Sequence, residues 1–178
     1  MKYDNCRSFM YNQSTGLCTP GSWINEQHPP PSATEGQLFH SFDCNETPGF
    51  QLFHRPRFSA CIWKSNKWLT YLQAKEDCRH HGGFLASVKT MDKLLLLEEE
   101  FGISEDVWVG CDEMREEGRF VWIEDGEVLP LGSPLFAEYQ PDDREGDEDC
   151  LCLQQEGKKL GDWICSAFFH YFCEIPVP

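Results

Sequence analysis

At 178 residues and a formal charge of −15, the chain has room for one domain and an appendage rather than two full domains. That charge repels phosphate backbones and acidic lipid, so it excludes nucleic acid and anionic membranes as partners and leaves cations, cationic surfaces or plain solubility. The longest apolar run, Leu94-Leu95-Leu96-Leu97, stops at Glu98, far short of a membrane span, so no membrane insertion is expected. Ten cysteines without a closely spaced Cys/His zinc pattern read as a disulfide framework, which places the protein in an oxidising compartment outside the cell. Asn12-Gln13-Ser14 and Asn45-Glu46-Thr47 are glycosylation triplets that agree with a secreted glycoprotein. Met1-Lys2-Tyr3-Asp4-Asn5 is followed by no apolar segment, so it is not a signal peptide and the chain reads as a mature or trimmed form.

Residues 1–43 form the expected N-terminal extension. Cys6 and Cys18 flank Tyr11-Asn12-Gln13-Ser14-Thr15-Gly16, a turn-rich stretch that predicts a small hairpin. The order Cys6-Arg7-Ser8-Phe9-Met10-Tyr11-Asn12 followed by Gly16-Leu17-Cys18 resembles a fragment of an apple (PAN) module. The upstream cysteines of such a module are missing, so Cys6–Cys18 is the default pairing, with pairing between chains as its rival. Residues 26–43, with Pro29-Pro30-Pro31-Ser32-Ala33-Thr34, read as an extended linker.

From Cys44 onward, Gly49-Phe50-Gln51-Leu52-Phe53 and Ser59-Ala60-Cys61-Ile62-Trp63 predict a hairpin. Thr70-Tyr71-Leu72-Gln73 is a capping box opening a helix, with Tyr71, Ala74 and Cys78 on one buried stripe and Gly82-Gly83 as its end. Phe84 to Val88 predicts a strand, and Thr90 caps a second helix reaching about Glu100 and stopped by Gly102. The rest predicts strands at Val107–Gly110, Arg119–Trp122, Cys150–Leu153 and Phe168–Glu174. Between the second and third of these lies a loop over 124–148, longer than a compact domain tolerates without a function.

The end of that loop, Gln140-Pro141-Asp142-Asp143-Arg144-Glu145-Gly146-Asp147-Glu148-Asp149-Cys150, holds six carboxylates in eleven residues. Oxygens packed so densely repel one another unless a cation sits between them, and Ca²⁺ takes about six to eight oxygen ligands. The rival reading is a solvated acidic loop in an acidic protein. Pro141 stiffens the loop, and a cis Gln140–Pro141 bond would aim the flanking side chains the same way.

Thr70-Tyr71-x-x-Ala74-x-x-x-Cys78, Gly83-x-Leu85-Ala86-Ser87, Trp108-Val109-Gly110, Gly118-x-Phe120-x-Trp122, Gln140-Pro141-Asp142, Glu148-Asp149-Cys150, Asp162-x-x-Cys165 and Phe172-Cys173-Glu174 occur in this order. The series resembles the C-type lectin-like domain over residues 44–178. The resemblance implies an α+β fold with two helices, small antiparallel sheets and a long Ca²⁺-binding loop. It implies disulfides Cys44–Cys61, Cys78–Cys173 and Cys150–Cys165. It also sets Cys111 and Cys152 on neighbouring core strands, predicting a fifth bridge, Cys111–Cys152, against the alternative of two buried free thiols.

By the same resemblance, Gln140, Asp142, Glu148 and Asp162 match the sugar-binding Ca²⁺ site. Gly161 stands where the family has an asparagine, which removes one metal oxygen and one amide donor; Gly161→Asn is expected to restore both. Gln140-Pro141-Asp142 is the galactose-type order, and Trp163 is the candidate aromatic face for the sugar, with a partly buried tryptophan beside Cys165 as the rival reading. An auxiliary Ca²⁺ site would draw on Glu113 (or Asp112), Glu117, Asp143, Glu148 and Asp149. The carboxylate pairs of the loop lack the apolar pocket an acid catalyst needs, so no enzyme is expected. The function implied is secreted, Ca²⁺-dependent binding of galactose- or N-acetylgalactosamine-bearing glycans, made avid by a homo-oligomer assembled through the N-terminal residues. The alternative is a lectin-like domain that binds protein or mineral surfaces and uses Ca²⁺ only structurally.

Overall fold

Two threonines set where the helices begin. In this computed structural model, which describes residues 8–12, 17–20, 36–40, 44, 47–156 and 158–177, Thr70 closes a full capping box with Gln73 at the head of α1 (Tyr71–His80). Thr90 accepts the Lys93 N–H at the head of α2 (Met91–Phe101). Both satisfy backbone donors that the first helical turn leaves unpaired. The chain divides into two compact units, Met1–Thr47 and Pro48–Pro178.

In the first unit, β1 (Ser8–Asn12) pairs antiparallel with β2 (Leu17–Pro20), as expected of the hairpin, and Cys18 lies opposite Tyr11. The stretch expected to be linker contributes a third strand, β3 (Gly36–His40), on the other edge of β1. Cys6, and with it the Cys6–Cys18 pairing, lies outside the described residues.

In the second unit, β4 (Gln51–Arg55) and β5 (Phe58–Lys64) make the expected hairpin. The strand expected over 84–88 contracts to β6 (Phe84–Leu85). Four strands have the expected identities with small changes of extent: β7 (Val107–Asp112), β8 (Val121–Trp122), β9 (Cys150–Leu153) and, last in the chain, β11 (His170–Ile175). A further strand, β10 (Leu160–Trp163), is one that the sequence does not announce. The path runs β10-β9-β7-β11-β5-β4, with β6 beside β11 and β8 beside β7. All pairings are antiparallel except β7 with β11.

Leu94, Leu96 and Leu97 of α2 pack with Ile62, Val107, Val109, Phe120, Trp122, Leu151 and Phe172 in one core. Cys78–Cys173 bridges α1 to β11 across 95 positions, and Cys150–Cys165 ties β9 to the segment after β10. Closing a loop of that first length contributes up to about 4–5 kcal/mol on the chain-entropy estimate. Cys44 and Cys61 are each disulfide-bonded. The expected fifth bridge is absent: Cys111 and Cys152 are both buried free thiols. Cys152 faces Trp108 across the ladder, whereas Cys111 lies three positions further along β7 and pairs instead with Trp122 of β8. Three positions along a strand is about 10 Å, beyond the reach of a disulfide. Among the described residues no helix is long and apolar enough to cross a membrane.

Candidate functional site

The site is assembled where the long loop is stitched onto β10. Leu160 donates to the Leu135 carbonyl at 2.9 Å and its own carbonyl accepts Ala137 N–H at 2.8 Å. Phe136 is buried against Phe120, their centroids 5.8 Å apart. With residues 135–137 fixed beside β10, the next residues are delivered to the middle of that strand. The Gln140–Pro141 peptide is cis.

Asp162, fully buried at the centre of β10, organises the end of the loop. Its carboxylate accepts the backbone N–H of Asp142 at 3.1 Å and of Asp143 at 2.7 Å. Its own N–H donates to Gln140 Oε1 at 2.9 Å, and Gln140 Nε2 donates to Asp142 Oδ1 at 2.7 Å. Downstream, Arg144 N–H donates to Glu148 and Glu148 N–H to Asp143 Oδ1. Asp142, Glu148 and Asp162 each present a carboxylate oxygen within 4.8 Å of the other two. Thus Gln140, Asp142, Glu148 and Asp162, four residues singled out in the sequence, are brought together.

The convergence of the three perturbs Glu148 and Asp162. Burial first, then the charges of Asp162 and Asp142, raise Glu148 above the usual carboxylate range against the Arg144 N–H bond. Burial likewise raises Asp162, opposed by its backbone hydrogen bonds. The Cys152 thiol behind them is also pushed up, by burial and then by Asp106, Asp162 and Glu148. Such a set is unfavourable alone and favourable around a hard cation. The donors are all oxygens and fall short of about six to eight, which leaves positions for water or ligand hydroxyls.

Among the described residues, the groups expected at a second ion do not form a convergent carboxylate cluster like the first. Glu113 is buried, its N–H donates to the Asp149 carbonyl at 2.9 Å, and its carboxylate accepts Gly118 N–H. Burial, then the charges of Glu117, Asp162 and Asp149, push its pKa up to about 7. Asp143 is joined to Glu148 as described. Asp112 is committed elsewhere, accepting Tyr71 O–H at 3.0 Å and facing Lys75 Nζ at 3.5 Å.

The Trp163 ring leaves β10 on the same face as Gly161 and packs 6.1 Å from the Phe169 ring. Two neighbours of the site escape sequence reasoning. Tyr139, 86% exposed and at φ 67, immediately precedes Gln140; a bulky residue in the left-handed region is the only signal, and it needs coordinates to see. The second is Gln154. A Cβ on Gly161 would overlap the Gln154 side-chain amide and lie 2.7 Å from Gln140 Oε1.

Fold and site together define a lectin-like binding domain, and the comparisons agree. The C-type lectin domain profile matches residues 67–175, and the chain belongs to that family, one of binding modules rather than enzymes. It is similar to salivary C-type lectin 2 of Aedes albopictus, 29% identical over 121 residues, covering 61% of this chain and 79% of that protein. It is also similar to the lactose-binding lectin l-2 of Anguilla japonica, 30% identical over 109 residues, covering 60% of this chain and 66% of that one. Among solved structures, the carbohydrate-recognition domain of mouse scavenger receptor C-type lectin superposes with a TM-score of 0.64 at 19% identity, covering 74% of this chain and 98% of that one.

Proposed function

We propose that the protein is a secreted lectin that binds galactose- or N-acetylgalactosamine-bearing glycans through Ca²⁺. The observation that carries this reading is the convergence of Asp142, Glu148 and Asp162 within 4.8 Å, with Gln140 bonded to two of them. Asp142, Glu148, Asp162 and Gln140 would hold the ion, which supplies a positive centre for two adjacent sugar hydroxyls. The chain's own part is orientation: carboxylates accept from hydroxyl protons and side-chain amides donate to hydroxyl oxygens. Glu113, Glu117, Asp143 and Asp149, with Glu148 shared, would hold a second ion that stiffens the loop. The Gln140-Pro141-Asp142 order and the likeness to a lactose-binding lectin support galactose over mannose. The salivary lectins among its relatives and the disulfides support an extracellular setting. Sites of this open kind bind weakly one by one, so an oligomer built through residues 1–43 would supply avidity.

Lactose titration by calorimetry tests this, once with Ca²⁺ and once with chelator. Binding is expected only with Ca²⁺, and Asp142→Ala, which changes an exposed residue, should abolish it while the fold persists. Ca²⁺-dependent stabilisation without any lactose binding would sink the sugar reading in favour of a module for protein or mineral surfaces.

A further inference from the structure

We infer that Gln154 is a ligand-recognising residue of this site, its side-chain amide donating to a sugar hydroxyl beside Gln140; the inference rests on the Ca²⁺-and-sugar reading above. The placement comes from register. Gly161 of β10 lies opposite Cys152 of β9, and Gln154 N–H extends the same ladder to the Lys159 carbonyl at 2.8 Å. Residue 154 is two beyond 152, so its side chain leaves on the face of Gly161, at the diagonal separation a long side chain can span. Gly161 has no side chain to oppose it. The Gln154 amide therefore occupies the space a Cβ at 161 would take, next to Gln140 Oε1. Among the described residues this amide makes no hydrogen bond of its own, although the chain's other long polar group there, Gln140, is bonded at both ends.

The balance of donors says what an uncommitted amide does there. Asp142, Glu148 and Asp162 only accept when ionised, and one N–H of Gln140 is already given to Asp142. A polyol bridging a cation and this cluster finds acceptors in excess and a single free donor on Gln140. Gln154 adds two. It also alters the expectation for Gly161→Asn: an asparagine would enter space that Gln154 already fills, exchanging one amide for another.

The test compares Gln154→Leu and Gln154→Glu with the wild type by lactose and Ca²⁺ titration, with thermal melts in chelator as the check on folding. Leucine keeps the bulk and removes the polar atoms; glutamate keeps the shape and removes the donors while adding a charge that favours the cation. Both variants are expected to bind lactose about tenfold more weakly, with Gln154→Glu binding Ca²⁺ at least as tightly as wild type. That split separates a hydroxyl donor from a residue that only supports the loop, which would weaken both ligands together. Gly161→Ala, whose methyl displaces the amide, should reproduce Gln154→Leu. Wild-type lactose affinity in both Gln154 variants overturns the inference alone. A wild type that binds Ca²⁺ but no lactose overturns the sugar reading and this inference with it.

Discussion

At the scale of single residues, Gly110 is tightly enclosed. Its N–H reaches the Ala86 carbonyl at 2.8 Å and its carbonyl accepts Ile123 N–H at 2.9 Å, so β7 is held from both sides at this point. A Cβ there would collide with the Leu85 carbonyl and sit 3.0 Å from Ile123 Cγ1. Gly110→Ala should therefore destabilise by about 2–3 kcal/mol, the upper range for overpacking a rigid core. Gly132→Ala, with nothing within 4 Å, should be near neutral. Urea unfolding midpoints decide it, and equal midpoints for the two variants would refute the steric account. Individual residues are also where sequence reading does best and worst. Gln140, Asp142, Glu148 and Asp162 are legible because their chemistry is in their side chains. The Cys111–Cys152 pairing is not, because register decides it: a shift in the β7–β9 ladder separates the thiols. Gln154 is illegible for the same reason, since only the pairing of Gly161 with Cys152 puts it beside Gln140.

Among the elements, the start of α1 is readable to the residue and β10 not at all. Thr70 and Gln73 announce a helix start by their own hydrogen-bonding capacity, independent of the rest of the fold. Lys158-Lys159-Leu160-Gly161-Asp162 carries no alternation of apolar and polar residues, and its two charged residues ahead of a glycine resemble a turn. It becomes a strand because β9 on one side and the Leu135–Ala137 segment on the other both bond its backbone. The same stitching explains why a loop of this length is tolerated: it is an edge partner to β10 rather than a free excursion. The α1 start matters to the site as well, since Tyr71 N–H donates to the Cys165 carbonyl at 3.1 Å and its hydroxyl to Asp112. In the capping box, Thr70 N–H donates to Gln73 Oε1 at 3.2 Å and Thr70 Oγ1 accepts Gln73 N–H at 3.5 Å. Thr70→Ala should cost about 1 kcal/mol, seen as a lower urea midpoint with unchanged slope, and Thr70→Ser should recover most of it. A Thr70→Ala midpoint equal to wild type would show that tertiary packing, not the cap, sets this end of α1.

Across the whole molecule, the proposed Ca²⁺ site implies that the formal charge of −15 and the buried carboxylates make stability depend on pH differently with and without Ca²⁺. Glu113 is raised from 4.5 to about 7 by burial and then by Glu117, and Glu148 and Asp162 are raised as well. In chelator, the folded protein therefore holds more protons than the unfolded chain between the ordinary carboxylate range and about pH 7. Where the native state binds more protons, stability rises as pH falls; a tenfold difference in proton affinity between the two states is worth about 1.4 kcal/mol when fully expressed. Melting temperature in chelator should thus climb on going from about pH 7.5 to 5.5. If these groups hold Ca²⁺ as proposed, they must be ionised to do so, and protons compete with the ion. The stabilisation by bound ligand, about 2.7 kcal/mol at a hundredfold excess over the dissociation constant, is lost over that window. The two curves should converge toward acid pH. Relief of general charge repulsion favours acid in both conditions, so it cancels in their difference. Asp77 does not interfere: burial alone would raise it, but hydrogen bonds from Lys67 and Tyr171 hold it below the usual range, and its contribution is lost only at still lower pH. Parallel melting curves across this window, with and without Ca²⁺, would mean that these carboxylates do not hold the ion.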